Sequence, residues 1–279
     1  MKTKLILASL LLAGMANAAT TFFPFCIDMP DAKKRNLTEQ AAMLKELGYE
    51  GVGHIWFDKV EERIKTLDDA GLKLFQITTT VSLATNKPAY DQQRFKEVLA
   101  AVKGRNVQFL LIFGGAKPSD ASEDERAVAI IREMSDLALD SGSQLLLYPH
   151  TRDWIERVED AVRVAEKVNR PNVGAMFNLC HWLRVCEDRD YKTRLQKAMP
   201  RLFAVSINGA DERDEKAANW KRYIQPLGSG DFDIATFLKT LKQLGYKGPI
   251  GLQCFCIGGD AREHLARSMA AWRKLNERN

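Results

Sequence analysis

The chain has four histidines, and three of them close runs rich in apolar residues. His54 follows Gly51-Val52-Gly53, His150 follows Leu145-Leu146-Leu147-Tyr148-Pro149, and His181 follows Phe177-Asn178-Leu179-Cys180. Imidazole titrates nearest neutral pH of all side chains, so a pair of histidines can take a proton from a carbon beside a carbonyl and hand one back. Other polar residues interrupt comparable runs. Alternation along an extended chain puts His54 with Trp56, Gln76 with Thr78, Tyr148 with His150 and Ser206 with Asn208 on single faces. Gln253 lies opposite Cys254 and Cys256, and Asn178 precedes His181. A polar side chain inside a strand costs stability unless it is hydrogen-bonded, so many of them converging on one rim predict a polar pocket. His150 is the candidate base or acid and His181 its partner or electrophile. His54, Tyr148, Asn178, Asn208 and Gln253 are the candidates to bind substrate hydroxyls.

Charged and aromatic residues follow the same runs. Lys117, Arg152, Arg184 and Asp211 fall in the connections, where a cation polarises a carbonyl or holds an anionic group and an aspartate orients a hydroxyl. Taken singly, such charges are more often solvated surface. Trp56, Trp154, Trp182 and Trp220 lie near the same ends. Indole stacks on the C–H face of a sugar, and Trp56 and Trp182 are the candidates for that role, against the commoner role of plain packing. Gly114-Gly115 is a loop-shaping pair and a weak phosphate signal. His264, in the last helical stretch, is expected at the surface. A three-histidine zinc site would require His54 to reach across the ring of strands, and none is assigned.

The elements that must position these residues alternate regularly. Strands are expected over Phe22–Asp28, Gly51–Trp56, Leu72–Val81, Val107–Gly114, Gln144–His150, Val173–Cys180, Leu202–Asn208 and Pro249–Phe255. Helices are expected at about 37–47, 58–70, 91–103, 122–141, 155–168, 188–198, 233–244 and 261–276. In the stretch from 155, Val158, Ala161, Val162, Ala165 and Val168 recur at three-and-four spacing while Glu159, Asp160, Arg163, Glu166 and Lys167 face away. Eight strands each followed by a helix predict an α/β fold, a single (β/α)8 barrel whose chemistry sits at the C-terminal ends of the strands. No linker or low-complexity tract divides residues 19–279, which read as one domain.

Three segments carry a resemblance. Leu145 to His150, Phe177 to Trp182, and above all Pro226-Leu227-Gly228-Ser229-Gly230-Asp231-Phe232-Asp233, running on to Leu244-Gly245-Tyr246-Lys247-Gly248-Pro249-Ile250-Gly251-Leu252-Gln253, resemble the xylose-isomerase-like TIM barrels of the sugar phosphate isomerase/epimerase group. The resemblance covers most of the chain after residue 18. It implies a divalent metal held by a strand-five Glu, a strand-six Asp, a strand-seven His and a strand-eight Glu. The matching positions here are Tyr148, Asn178, Ser206 or Asn208, and Gln253. Magnesium and manganese need anionic oxygens to offset dehydration, and hydroxyls and amides supply dipoles without charge. Neither Asn178 nor Gln253 can serve as a general base near neutrality. No metal is therefore assigned, although enolate stabilisation would then fall to Lys117, Arg152, Arg184 or a protonated histidine. The multi-zinc endonucleases of this barrel class need a rim rich in His, Asp and Glu, which is missing.

Residues 1–18 have Lys2 and Lys4, an apolar run from Leu5 to Met15, and Ala16-Asn17-Ala18, the pattern of a cleaved secretory signal. The net charge of +5 becomes +3 without Lys2 and Lys4, with both signs interspersed, so no nucleic-acid or membrane partner is expected. Cys26, Cys180, Cys254 and Cys256 read as small buried hydrophobes, and Cys186, in a polar loop, as free to pair. These features predict a periplasmic or secreted isomerase- or epimerase-like enzyme acting on an unphosphorylated sugar or keto-sugar. The alternative is a non-catalytic carbohydrate-binding protein on the same barrel.

Overall fold

The computed structural model describes residues 20–27, 31–212 and 219–277. The leader expected over 1–18, and Asp28 at the end of the first expected strand, lie outside them. In chain order the elements are β1 (Phe22–Phe25), α1 (Leu37–Leu47), β2 (Gly51–Ile55), α2 (Val60–Ala70), β3 (Lys73–Ser82), α3 (Gln92–Ala101), β4 (Gln108–Gly114), α4 (Asp124–Leu139) and β5 (Gln144–Leu147). They continue with α5 (Val158–Val168), β6 (Val173–Asn178), α6 (Leu179–Val185), α7 (Tyr191–Ala198), β7 (Leu202–Ile207), α8 (Ile234–Gln243), β8 (Ile250–Gln253) and α9 (Ala261–Glu277). The strands pair in parallel in the order β1-β8-β7-β6-β5-β4-β3-β2, a nearly closed (β/α)8 barrel as expected. No helix among the described residues is long and apolar enough to cross a membrane.

Side-chain alternation splits the core in two. Phe25, Leu110, Leu146, Met176 and Ala204 fill the barrel with Tyr148 above them. Phe109, Leu111, Leu145, Leu147, Phe177 and Val205, one residue out of phase, join the larger cluster under the helices. At the seam between β1 and β2 a Cβ on Gly53 would stand 2.6 Å from the Phe25 Cβ, so the strands approach there only because position 53 has no side chain. On the barrel floor Gln76, Gln108 and Gln144 are register partners on β3, β4 and β5. Gln76 Nε2 donates to Gln108 Oε1 at 3.0 Å, and Gln108 Nε2 to Gln144 Oε1 at 3.0 Å and to the Phe203 carbonyl at 3.4 Å. Gln76 therefore belongs to the floor and not to the mouth.

Two boundaries differ from expectation in ways that matter. β5 stops at Leu147, three residues short, so Tyr148 and His150 leave the sheet at its C-terminal edge. β6 stops at Asn178 and the chain turns directly into α6, which places His181 and Trp182 on a helix and not on a strand end. The apolar run through Leu179-Cys180 satisfies either geometry, so periodicity does not separate them. Cys186 is 3% exposed, contrary to the expectation of a thiol free to pair.

His264 is also buried, at 4% exposure, and neither of its ring nitrogens has a hydrogen-bond partner among the described residues. Burial draws its pKa down to about 4, against the opposing pull of Asp31 and Asp260. Those two carboxylates share Arg35, at 2.9 and 2.7 Å, and Asp31 also accepts from the Ala261 amide at 3.2 Å. The cluster joins the β1–α1 and β8–α9 connections. Because the folded pKa lies below the unfolded one, the unfolded chain binds the extra proton. The stabilising effect of a neutral His264 is complete above pH 6.5 and declines as pH falls toward 4, by about 3 kcal/mol. His264→Leu should flatten the stability profile over that window in denaturant melts; an unchanged slope would place the pH dependence elsewhere.

Candidate active site

The connection after β5 is fixed from several sides before it reaches the mouth. The Trp154 amide donates to the Phe113 carbonyl at 2.8 Å, its indole to the Asp120 carbonyl at 2.8 Å, and the His150 amide to the Ile155 carbonyl at 2.9 Å. Asp160 Oδ2 accepts from the Ser119 hydroxyl at 2.6 Å and the Arg157 amide at 3.0 Å. Within this frame His150, Thr151, Arg152 and Asp153 form a turn, closed by the Asp153 amide on the His150 carbonyl at 3.0 Å, with Arg152 at φ 72°. The turn brings the Asp153 carboxylate back onto its own histidine: Asp153 Oδ2 lies 2.6 Å from His150 Nδ1. A carboxylate at that distance favours the tautomer with the proton on Nδ1, which leaves the Nε2 lone pair as a base, although the two groups are not aligned as a hydrogen bond.

The same turn orients the second histidine. His181 Nδ1 accepts from the Thr151 amide at 3.0 Å, with the Thr151 hydroxyl also at 3.0 Å. Accepting at Nδ1 puts the proton on Nε2, so His181 presents an N–H donor. Burial, aided by His150 and by the positive charge of Arg184, holds its pKa well below the ordinary value and keeps the ring neutral. The two imidazole centroids stand 4.2 Å apart at 44°. One ring is arranged to accept a proton and its neighbour to donate a hydrogen bond.

Beneath them the four positions that the resemblance assigns to metal ligands form a closed polar network. Gln253 Nε2 donates to the Tyr148 hydroxyl at 3.2 Å, and Gln253 Oε1 accepts from the Phe255 amide at 3.0 Å. Asn178 Oδ1 accepts from the Ser206 hydroxyl at 2.9 Å and from the Cys180 thiol at 3.2 Å. Burial raises the Tyr148 phenol well above its ordinary pKa, so it is a proton-bearing group at any physiological pH. The donor set does not fit a divalent cation. Its members are neutral, and the oxygens of Asn178 and Gln253 are turned to protein donors.

Trp220, near a strand end as the sequence predicts, completes one wall. Gly209 and Gln225 form an isolated antiparallel bridge, and the Trp220 indole stands 4.9 Å from the His181 ring. The guanidinium of Arg184, one turn along α6, lies 4.5 Å from the Trp220 centroid.

The structure places the remaining candidates elsewhere. His54 Nε2 is 2.7 Å from the Asp58 carbonyl and its Nδ1 accepts from buried Arg63 on α2 at 3.4 Å, a bridge on the helix side of β2. Trp182 packs with Phe177, Tyr191 and Phe232 in the outer core. Asn208 donates to the Gly209 and Tyr223 carbonyls at 2.7 and 2.6 Å and braces the connection after β7. Lys117 is exposed, with its charge felt at Asp120, and Asp211 pairs with Arg222 at 2.9 Å. Trp56, 43% exposed at φ 64°, follows the end of β2. Trp154 is fully buried packing. Asp153 escaped the sequence reading, although the spacing His-x-x-Asp directly after a strand is the signal of a turn that returns one side chain onto the other.

Three substitutions test these placements. Trp182→Leu should cost on the order of 3 kcal/mol in unfolding experiments while keeping sugar affinity, and Trp220→Leu should weaken sugar binding with little loss of stability. Inverted results would exchange the two roles. Arg152→Gly should hold or raise the melting temperature, since a left-handed residue with a Cβ costs about 1 kcal/mol. It should also retain sugar binding; loss of binding would show that the Arg152 side chain touches the ligand.

The family model described as "Xylose isomerase-like TIM barrel" matches residues 41–275. L-ribulose 3-epimerase of Methylomonas sp. (strain DH-1) is 28% identical over 171 residues, 58% of this chain and 53% of that protein, so the chain spans about half the length of that relative. Inosose isomerase of Halalkalibacterium halodurans is 22% identical over 240 residues, 79% of this chain and 83% of that protein. The crystal structure of a D-allulose 3-epimerase from Methylomonas sp. superposes with a TM-score of 0.71 at 18% identity, covering 92% of this chain and 98% of that one. At that identity the superposition speaks for the fold alone, and the match of the family model over most of the chain decides the membership: this protein belongs to the xylose isomerase-like TIM barrel family.

Proposed function

We propose that the protein is an exported sugar isomerase or epimerase that moves a proton next to a carbonyl of an unphosphorylated sugar or keto-sugar, without the divalent metal site usual in its family. The observation that carries the reading is the histidine pair, with His150 held on Asp153 at 2.6 Å and neutral His181 at 4.2 Å from it. His150 Nε2 takes the proton from the carbon beside the carbonyl, and Asp153 stabilises the imidazolium that results. The carbonyl oxygen, gaining negative charge, accepts from His181 Nε2–H. Reprotonation of the same carbon on its opposite face, with water as the proton source there and the abstracted proton released from His150 to solvent, gives an epimer; return of the proton to the former carbonyl carbon gives an isomer, the hydroxyl proton on the first carbon passing through His181 to the former carbonyl oxygen. The relatives named L-ribulose 3-epimerase, ketose 3-epimerase and inosose isomerase support that reaction class. The leader pattern of residues 1–18 supports export to the periplasm or beyond, where sugars are encountered without phosphate.

A second reading, a carbohydrate-binding protein, draws on the mutual satisfaction of Tyr148, Gln253, Asn178 and Ser206, which leaves the old ligand positions without free anions. Incubating the purified protein with ketohexoses in D₂O separates the two. Deuterium at the carbon beside the carbonyl supports the enzyme, and binding without exchange supports the binder. In the enzyme, His150→Asn should slow exchange by roughly 10²–10⁴-fold, and Asp153→Asn should slow it more than it weakens binding. Wild-type exchange rates in His150→Asn would refute the assignment of the base.

A further inference from the structure

Arg184 is the cation of the mouth that the proton-transfer chemistry leaves unused. Its guanidinium meets two aromatic faces, at 4.5 Å from the Trp220 centroid and 5.9 Å from that of Tyr223. Nη1 is enclosed and has no hydrogen-bond partner among the described residues. A guanidinium has five N–H groups in a rigid fork, and an enclosed one without an acceptor is costly. Among the described residues, Asp211 pairs with Arg222 at 2.9 Å and Asp188 with Arg194 at 2.9 Å, so neither carboxylate is left over for Arg184. Aromatic stacking fixes the plane of the fork while using none of its donors. It leaves an oriented, permanently charged donor set on the same indole that touches His181.

We propose that Arg184 is an anion subsite that selects a sugar bearing a carboxylate, so that the substrate is an oxidised sugar such as a keto-uronate. The carboxylate is planar and matches the fork with two parallel hydrogen bonds, a geometry that a neutral hydroxyl cannot reproduce. His181 and Arg184 sit on consecutive turns of α6, so a ligand whose carbonyl faces His181 extends along the helix toward the guanidinium. Phosphate would demand more donors than one fork supplies, and Lys117 and Arg152, the other candidate cations, are exposed. The assignment rests on the proposed site but not on its turnover, because it concerns binding.

Equilibrium binding of D-fructose, D-fructuronate and D-fructose 6-phosphate to the full-length mature protein, by calorimetry, tests it. The uronate should bind about tenfold or more tighter than the neutral ketose and tighter than the phosphate. That preference should collapse in Arg184→Gln and be partly kept in Arg184→Lys, which retains charge without the fork and also serves if the glutamine variant folds poorly. Equal affinity for ketose and uronate, tighter phosphate binding, a preference that survives in Arg184→Gln, or no binding of any of the three would each overturn the carboxylate subsite. If the preference holds while no deuterium enters any ligand, the subsite stands and the enzymatic reading falls.

Discussion

The four-residue turn from His150 to Asp153 is the constraint on which the mouth depends. It closes through a single backbone hydrogen bond of 3.0 Å, and its geometry fixes the orientations of two imidazoles at once. Asp153 reaches the first ring and the Thr151 amide reaches the second. The Thr151 contact also fixes a tautomer and the Asp153 carboxylate biases the other, so a backbone conformation influences where two protons reside. Arg152 accepts a left-handed backbone to make this possible. Strain of that kind persists where the surroundings over-determine it, and here the clamps from Phe113, Asp120 and Asp160 supply the surroundings.

A second consequence concerns where charge is kept. The resemblance implies carboxylates at the strand ends, yet Tyr148 just beyond β5, Asn178 on β6, Ser206 on β7 and Gln253 on β8 stand there. These satisfy one another and rigidify the floor of the pocket. The ionisable groups stand one layer further out, on the β5–α5 turn and on α6. Such an arrangement keeps the polar shape of the pocket while placing its ionisable side chains on segments that can vary independently of the sheet.

Much of the architecture was legible because it rests on repetition. The continuous apolar run Leu145-Leu146-Leu147 gave β5, and the three-and-four spacing of Val158, Ala161 and Ala165 gave α5. Glycines such as Gly48, at φ 82°, closed helices where a left-handed residue was required. The site was harder to read, since strand ends are decided by tertiary hydrogen bonds. His181 and Trp182 looked alike as strand-end residues, but a helix beginning at Leu179 turns the one into the mouth and the other into the outer core. His54 satisfied the same pattern and is taken up by Arg63, a partner nine residues away that only the packing of α2 brings within reach. The Asp153 contact depends on one turn conformation, which composition alone does not dictate.

The glutamines under the barrel carry a property of their own. Each amide gives a hydrogen to the next, from Gln76 to Gln108 to Gln144, and the Phe203 carbonyl fixes the middle member because only an NH₂ group can face it. The row therefore has a direction, with its acceptor end at the Gln76 oxygen, which has no hydrogen-bond partner among the described residues. No single amide can rotate without setting oxygen against oxygen or NH₂ against NH₂, so the three behave as one polarised wire that locks the relative heights of three strands. A carboxylate in the middle position would still accept from Gln76 but would set anion against acceptor on its other two sides, so the row would lose its sense at that point.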